Sequence, residues 1–409
     1  MNTLLLAADT VGYTLPPLWR ALTKTAYFIG LAGAIGGLVT YAGAVRPALR
    51  GSADAADDVA LLRDRSAVGL ACSGVVLLVS GYFQLAARVA RAGTGMPFAD
   101  ALAPQRIWQF LRAPADEGSW IAQGTIFLVQ NLVLLVTATI LTALFARGVR
   151  RRLDTIALTA LPLALAVTLI GAVPASVPLE ADASLDLAFT QIHIISGTVW
   201  LGGLVLLVAL AGARGRLSRN AGPIWAGIWR RFSLTAMICV AAVLISGLWM
   251  SWEHVGAVSQ LWTTGYGLAL LVKILLVLGL VTAGAFNQLW LMPRIARARR
   301  TDETASLFRL TLRHFPKVVW GEVVLGLAVL SVVPFLSGSA RTEAGSPQAE
   351  PSAGVFTAGA ALVLTLVVSL YVTAKASDAL SRRPAAAGEL VDAMTGQTAR
   401  TPSHNSSGI

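Results

Sequence analysis

"LDLAFTQIHIISGTVWLGGLVLLVALAGA", residues 185–213, holds a histidine, an indole and two adjacent glycines in a run that is otherwise almost wholly apolar. A run of about 20 apolar residues is long enough to cross the hydrocarbon of a bilayer. No water is available there to satisfy open backbone groups, so such a run must be helical. Comparable runs recur near 25–45, 67–87, 120–146, 153–175, 232–252, 264–287, 317–337 and 355–374. Composition agrees: 56% of residues are hydrophobic and 13% charged, whereas soluble domains carry about a quarter charged residues. The expected fold is an all-α polytopic membrane bundle of about nine transmembrane helices.

The net charge of +11 does not point to nucleic acid, because the arginines cluster in short connections between apolar runs. "RGVRRRLD" (147–154), "GARGRLSRNAGPIWAGIWRRF" (212–232) and "PRIARARRTDETASLFRLTLRHFPK" (293–317) are arginine-rich, whereas "PASVPLEADASLD" (174–186) and "EHVGAVSQLWTTG" (253–265) have no Lys or Arg. Positive loops stay in the cytoplasm, which puts the N-terminus outside and the C-terminus in the cytoplasm. The connection 88–119 carries arginine yet falls outside; its length weakens the rule. The first residues lack a basic n-region and a full h-region, so no cleavage is expected, with Trp19 and Arg20 at the headgroups. Cys72 and Cys239 lie inside apolar runs, form no CxxC pair and read as core thiols.

Self-comparison points to a duplication. A shift of 166 places "GGLV" 36–39 on "GGLV" 202–205, Arg65 on Arg231, Leu78 on Leu244, and Ser80-Gly81 on Ser246-Gly247. "QGTIFLVQNLVLL" (123–135) falls on "YGLALLVKILLVL" (266–278), and Pro174 and Pro334 close the fourth helix of each copy. An even number of spans per copy makes the two repeats parallel. The expected organisation is a degenerate scaffold repeat over 1–178, a functional repeat over 179–340, an extra helix with its outer loop over 341–376, and a disordered cytoplasmic tail over 377–409, polar and rich in small residues.

The copies differ where the chemistry is. His193 falls on Tyr27, Lys273 on Gln130 and Glu322 on Pro162. Ionisable groups in lipid are costly and face a bundle interior or a cavity. His193, Lys273, Glu322 and Asn287 are therefore candidates for a route across the bilayer. Trp200, two turns after His193 on the same face, is a candidate wall. Each has a plainer reading: a hydrogen-bonded core histidine, a snorkelling lysine, a glutamate paired with Arg313, and an indole that fills the bundle. Gly202 and Gly203 recur in the histidine-free copy and so read as scaffold that lets helices approach closely. "GLWMSWEHV" adds Met250, Glu253 and His254, a thioether, carboxylate and imidazole set that suits copper, or else an interfacial tryptophan-rich helix end. Met237, Cys239 and Met292 are further soft donors; His314 and His404 receive no role. No phosphate-binding GxxxxGK[ST] loop, HExxH, GxSxG or CxxCH motif is present, so ATP-driven pumping, zinc proteolysis, serine hydrolysis and c-type haem attachment lack support.

On "HIISGTVWLGGL" (193–204), "RRFSLTAMICVAAVLISG" (230–247), "YGLALLVKILLVLGLVTAGAFNQLWLMPRI" (266–295) and "VVWGEVVLGLAVL" (318–330), the sequence resembles the CopD family of bacterial copper-resistance membrane proteins. The resemblance implies a multi-pass plasma-membrane protein that admits copper from the outer side, with His193 the best transferred position; His254, Met250 and Glu253 remain metal candidates on their ligand chemistry alone. Such proteins work beside a periplasmic copper-carrier domain, which is absent from this sequence. On this view the chain is a transporter rather than an enzyme. The second copy is also similar to the four-helix HemJ-type protoporphyrinogen oxidases, through His193, Trp200 and Lys273. That likeness implies haem b on His193, with Lys273 beside it, and a porphyrin or haem oxidoreductase. A third expectation is a delivery or assembly factor that passes copper to a respiratory oxidase.

Overall fold

A computed structural model describes residues 13–52, 55–93, 96–176, 181–218, 221–286, 289, 315–347 and 353–382. Nine principal helices carry the apolar runs: α1 Leu18–Thr40, α2 Ala56–Ala92, α3 Gln123–Thr142, α4 Leu153–Ile170, α5 Ala181–Ala211, α6 Gly222–His254, α7 Gly265–Phe286, α8 Phe315–Val332 and α9 Ala353–Arg382. Among the described residues no sheet forms, and one isolated bridge joins Ser119 to Ser176. The first seven are long and apolar enough to cross a membrane; the apolar parts of the last two, Val319–Phe335 and Gly359–Thr373, are shorter. This is a polytopic helical membrane bundle.

The helices outrun the expected spans. At 37 residues, α2 is about 55 Å long, against about 30 Å of hydrocarbon. The connection expected to begin at Arg88 therefore starts after Ala92, and Arg88 lies on the last turns of α2. Similarly α1 runs on through a π-helical turn, Tyr41–Val45, into Arg46–Arg50, and α9 continues to Arg382.

Helices α1 and α5 form the middle of the bundle. Their spans are 72% and 61% buried, against 11% for α7. The two cross where neither has a side chain: a Cβ on Gly36 would sit 2.7 Å from the Gly202 Cα, and one on Gly202 would run into the Ala32 carbonyl. Gly203 fits equally tightly against Phe232 and Thr40. Around this seam Leu31, Ile35, Leu38, Leu204 and Leu207 are almost wholly buried. In lipid, where dispersion rather than water exclusion holds helices together, such close backbone approach is the main source of cohesion.

Polar ties fix the two ends. At the arginine-rich end Asp154 accepts a hydrogen bond from the Tyr41 hydroxyl at 2.7 Å and faces the guanidiniums of Arg46 at 3.4 Å and Arg63 at 3.6 Å. Asp58 accepts from the Ser218 backbone at 2.9 Å and from its hydroxyl at 2.5 Å, tying α2 to the turn after α5. At the opposite end, called the His254 end below, Glu343 accepts from the N–H groups of Gly265 at 2.8 Å and Tyr266 at 3.0 Å. That carboxylate caps the first turn of α7 and meets the positive end of its dipole. Trp19 stacks on Phe98 with ring centroids 4.6 Å apart, which secures the start of α1 to the connection after α2.

The two cysteines part company. Cys239 is buried, as expected, but Cys72 is exposed on the flank of α2 and lines a groove of about 300 Å³ with Arg65 and Leu201. Uniformly apolar helices give no periodic signal to show which face looks outward, so an apolar run alone did not make Cys72 a core thiol.

Candidate functional site

Helices α5 and α6 run antiparallel and touch along one stripe of each. On α5 the stripe is Asp186, His193 and Trp200; on α6 it is Cys239, Ser246 and Glu253. Both have the seven-residue, two-turn spacing that keeps side chains on one face. Two contacts set the register. The Asp186 and Glu253 carboxyl groups face one another within hydrogen-bonding reach, and His193 Nδ1 lies 3.0 Å from Ser246 Oγ. The same register sets Trp200 opposite Cys239, and both are buried.

The proton arrangement at His193 follows from its neighbour. Ser246 Oγ is 2.6 Å from the Ala242 carbonyl, which can only accept, so the single hydroxyl proton points there. Ser246 therefore accepts from His193 Nδ1–H, and the lone pair of the imidazole is left on Nε2. Gly247 makes room for the ring: a Cβ there would sit 3.6 Å from His193 Cε1. One turn nearer the His254 end, Phe189 stacks on Trp249 with centroids 5.0 Å apart. The positive charge of Lys273 acts on His193 from α7.

His254 has the same tautomer for a simpler reason. Its Nδ1 lies 2.9 Å from the Met250 carbonyl and must donate, again leaving Nε2 as the base. The ring stacks on Tyr266 at 5.7 Å, and Glu253 Oε2 is 4.0 Å from Nδ1. Met250 enters this arrangement through its backbone oxygen. The four expected metal candidates thus do not form one site. His193 pairs with Ser246, which places it about 12 Å deeper than His254, about 10 Å deeper than Glu253 and about 6 Å deeper than Met250 along α6. Among the described residues, no three His, Cys, Asp or Glu side chains converge as a metal cage.

Deeper still, Glu322 of α8 is 4% exposed. It lines a cavity of about 230 Å³ with Trp200, Trp229, Phe232, Met237 and Ser369. Trp200 thus both fills the bundle and walls a cavity. Asn287, Met292, Arg313, His314 and His404 lie outside the described residues.

Residues 226–336 match the family model described as copper resistance protein D, CopD. This stretch, about a quarter of the chain, is similar to the CopD family. It carries Ser246, Glu253, His254, Lys273 and Glu322, while Asp186, His193 and Trp200 precede it. A curated relative, the copper transport protein CutJ of Bacillus subtilis (strain 168), is 32% identical over 139 residues, which cover 34% of this chain and 22% of the relative. The chain therefore matches about a fifth of the length of that relative. No solved structure matches. The helical bundle makes this a multi-pass membrane protein, and its residues 226–336 are similar to a family described by copper resistance.

Two members of the stripe were absent from the sequence reading. Ser246 was noted only as half of a repeated Ser-Gly pair, and Asp186 only as part of an arginine-free connection. The signal for Asp186 was present: it stands seven residues before His193, just as Trp200 stands seven after.

Proposed function

We propose that this chain carries copper across the plasma membrane from the His254 end, with that end outside, the N-terminus outside and the C-terminus in the cytoplasm. The arginine-poor connections at the His254 end support the orientation. The observation that carries the proposal is the pair of imidazoles at two depths, each with Nδ1 committed to a protein oxygen and Nε2 left as a lone-pair donor. That is the state in which histidine ligates a metal, with the second ring nitrogen orienting the first.

In this reading Asp186, Glu253 and His254 capture the ion at the mouth and His193 receives it within the membrane. Trp200 and Glu322 frame the cavity on the cytoplasmic side, where Met237 and Cys239 are the nearby soft donors. Lys273 does not ligate. Its ammonium repels a cation at His193 and keeps that site weak, as a conducting site must be. A periplasmic copper carrier would deliver at the mouth. CutJ is named a copper transport protein, and the region similar to CopD contains Glu253 and His254 of the mouth together with Glu322, which supports transport over delivery to another protein.

The test is copper content by elemental mass spectrometry in cells expressing wild type, His193→Ala and Glu253→Gln, followed by copper entry into vesicles holding the purified protein. Wild type should raise cell copper and load vesicles, and His193→Ala should fall to the vector level. Copper bound by purified protein with no entry into vesicles would replace transport by delivery.

A further inference from the structure

The His254 end holds a group of cations that the copper route does not use. Arg20 and Lys24 stand four residues apart on the first turns of α1, hence on one face. Arg91 lies in the last turn of α2, which packs along α1. Lys273 is eight residues into α7, and the first residue of that helix, Gly265, lies against Tyr13 just ahead of α1. The charges of Arg20, Arg91 and Lys273 all act on Lys24.

Four ion pairs occur among the described residues, and none includes Arg20, Lys24, Arg91 or Lys273. Of the acids at this end, Glu343 caps α7, Asp186 and Glu253 face each other, and Asp100, Asp116 and Glu117 of the connection after α2 enter none of these ion pairs. Arg20 Nε is buried without a hydrogen-bond partner, and of the Arg91 guanidinium only Nε has one, the Ala87 carbonyl at 3.2 Å. Arg88 close by differs, since Gln130 Oε1 accepts from it at 2.8 Å and the Phe127 ring lies 4.1 Å beneath it. Like charges gathered at the edge of a low-dielectric bundle repel strongly. A fold keeps them there when something anionic sits among them, and guanidinium and ammonium groups together suit a phosphate. The lysines start about 9 Å and about 12 Å inside the ends of their helices, a depth from which they reach back to the headgroup level.

We propose that Arg20, Lys24, Arg91 and Lys273 form a binding site for a phosphate-type anion at the His254 end, its source either the phosphodiester of a bound phospholipid or free phosphate. An anion there offsets the field of Lys273 at His193, so its occupancy sets how readily a cation enters the stripe between α5 and α6.

Binding is measured without copper. Detergent-purified protein is weighed by native mass spectrometry with added phosphatidylglycerol, and delipidated protein is titrated calorimetrically with inorganic phosphate. The variants are Lys24→Gln/Lys273→Gln, the charge-keeping Lys24→Arg/Lys273→Arg, and Arg112→Gln, whose guanidinium is engaged over the Trp108 ring at 4.3 Å. Wild type, the arginine pair and Arg112→Gln should each hold one anion, with the glutamine pair at least tenfold weaker. Phosphatidylglycerol that phosphate does not displace identifies the headgroup; displacement identifies a free-anion site. The proposal is overturned if wild type holds neither probe, or if the glutamine pair binds as wild type does.

Discussion

Replacing Gly202 by alanine should cost this protein more than any comparably small change in its core. The added methyl would run into the Ala32 carbonyl and come within 3.0 Å of the Gly36 Cα. Both obstacles are backbone, so no side-chain rotation relieves them, and α1 must retreat from α5 by more than an ångström. The retreat opens contacts of Leu31, Ile35, Leu38, Leu204 and Leu207, all almost wholly buried. A radial gap of about 0.5–1 Å already forfeits a quarter to a half of each contact. Overpacking typically costs about 1–3 kcal/mol, and the rigid obstacle puts this case at about 3 kcal/mol. By the entropy scaling of soluble domains, about 2.1 cal/mol/K per residue, that lowers the melting temperature by roughly 3–4 °C. Thermal melting of purified protein in detergent measures it, with Gly197→Ala on the same helix as the control. Nothing lies within 4 Å of a Cβ at Gly197, and alanine there gains about 0.5–1 kcal/mol of helix propensity. Gly202→Ala melting at or above wild type would refute the packing argument.

Three further outcomes follow from named contacts. Ser246→Ala removes the acceptor that holds His193 Nδ1–H, so the ring loses its fixed orientation; copper uptake should fall about 10-fold or more with little change in melting, in line with the loss of other outer-shell partners. A thiol reagent small enough to reach the lipid-facing flank should modify Cys72 and spare Cys239 in folded protein; equal labelling of the two would contradict the assigned faces. Asp154→Asn takes the carboxylate from Tyr41, Arg46 and Arg63 at once. Because the Arg46, Asp154 and Arg63 side chains are 22–37% exposed, solvent discounts the loss to about 1–2 kcal/mol, which denaturation of the purified variant should reveal.

Much of the fold was legible because lipid leaves so few choices: an apolar run of sufficient length must be a helix, and each of the nine runs lies largely within one. Helix ends were harder to place, since outside the hydrocarbon a helix continues or stops on local grounds. That is why Arg88 lies on a helix rather than in a connection. Of the candidate site, His193 and Glu253 could be named because an ionisable residue in an apolar run is conspicuous. Their partners could not. Ser246 is 53 residues from His193, and Asp186 resembles any acid near a helix start. Only the register of two packed helices pairs them, and that register is a tertiary fact.

The stripe between α5 and α6 also fixes a stride. Its levels repeat every seven residues, about 10.5 Å along the helices, whereas copper–ligand bonds span about 2 Å. An ion at His193 is therefore beyond the grasp of the carboxylates above it and of Cys239 below. On the proposed route each advance would require either an intervening hydration shell or a sliding of one helix on the other, so passage would proceed by discrete hops and not by continuous flow. Such a route is slow, and at no stage of it does more than one level hold the same ion.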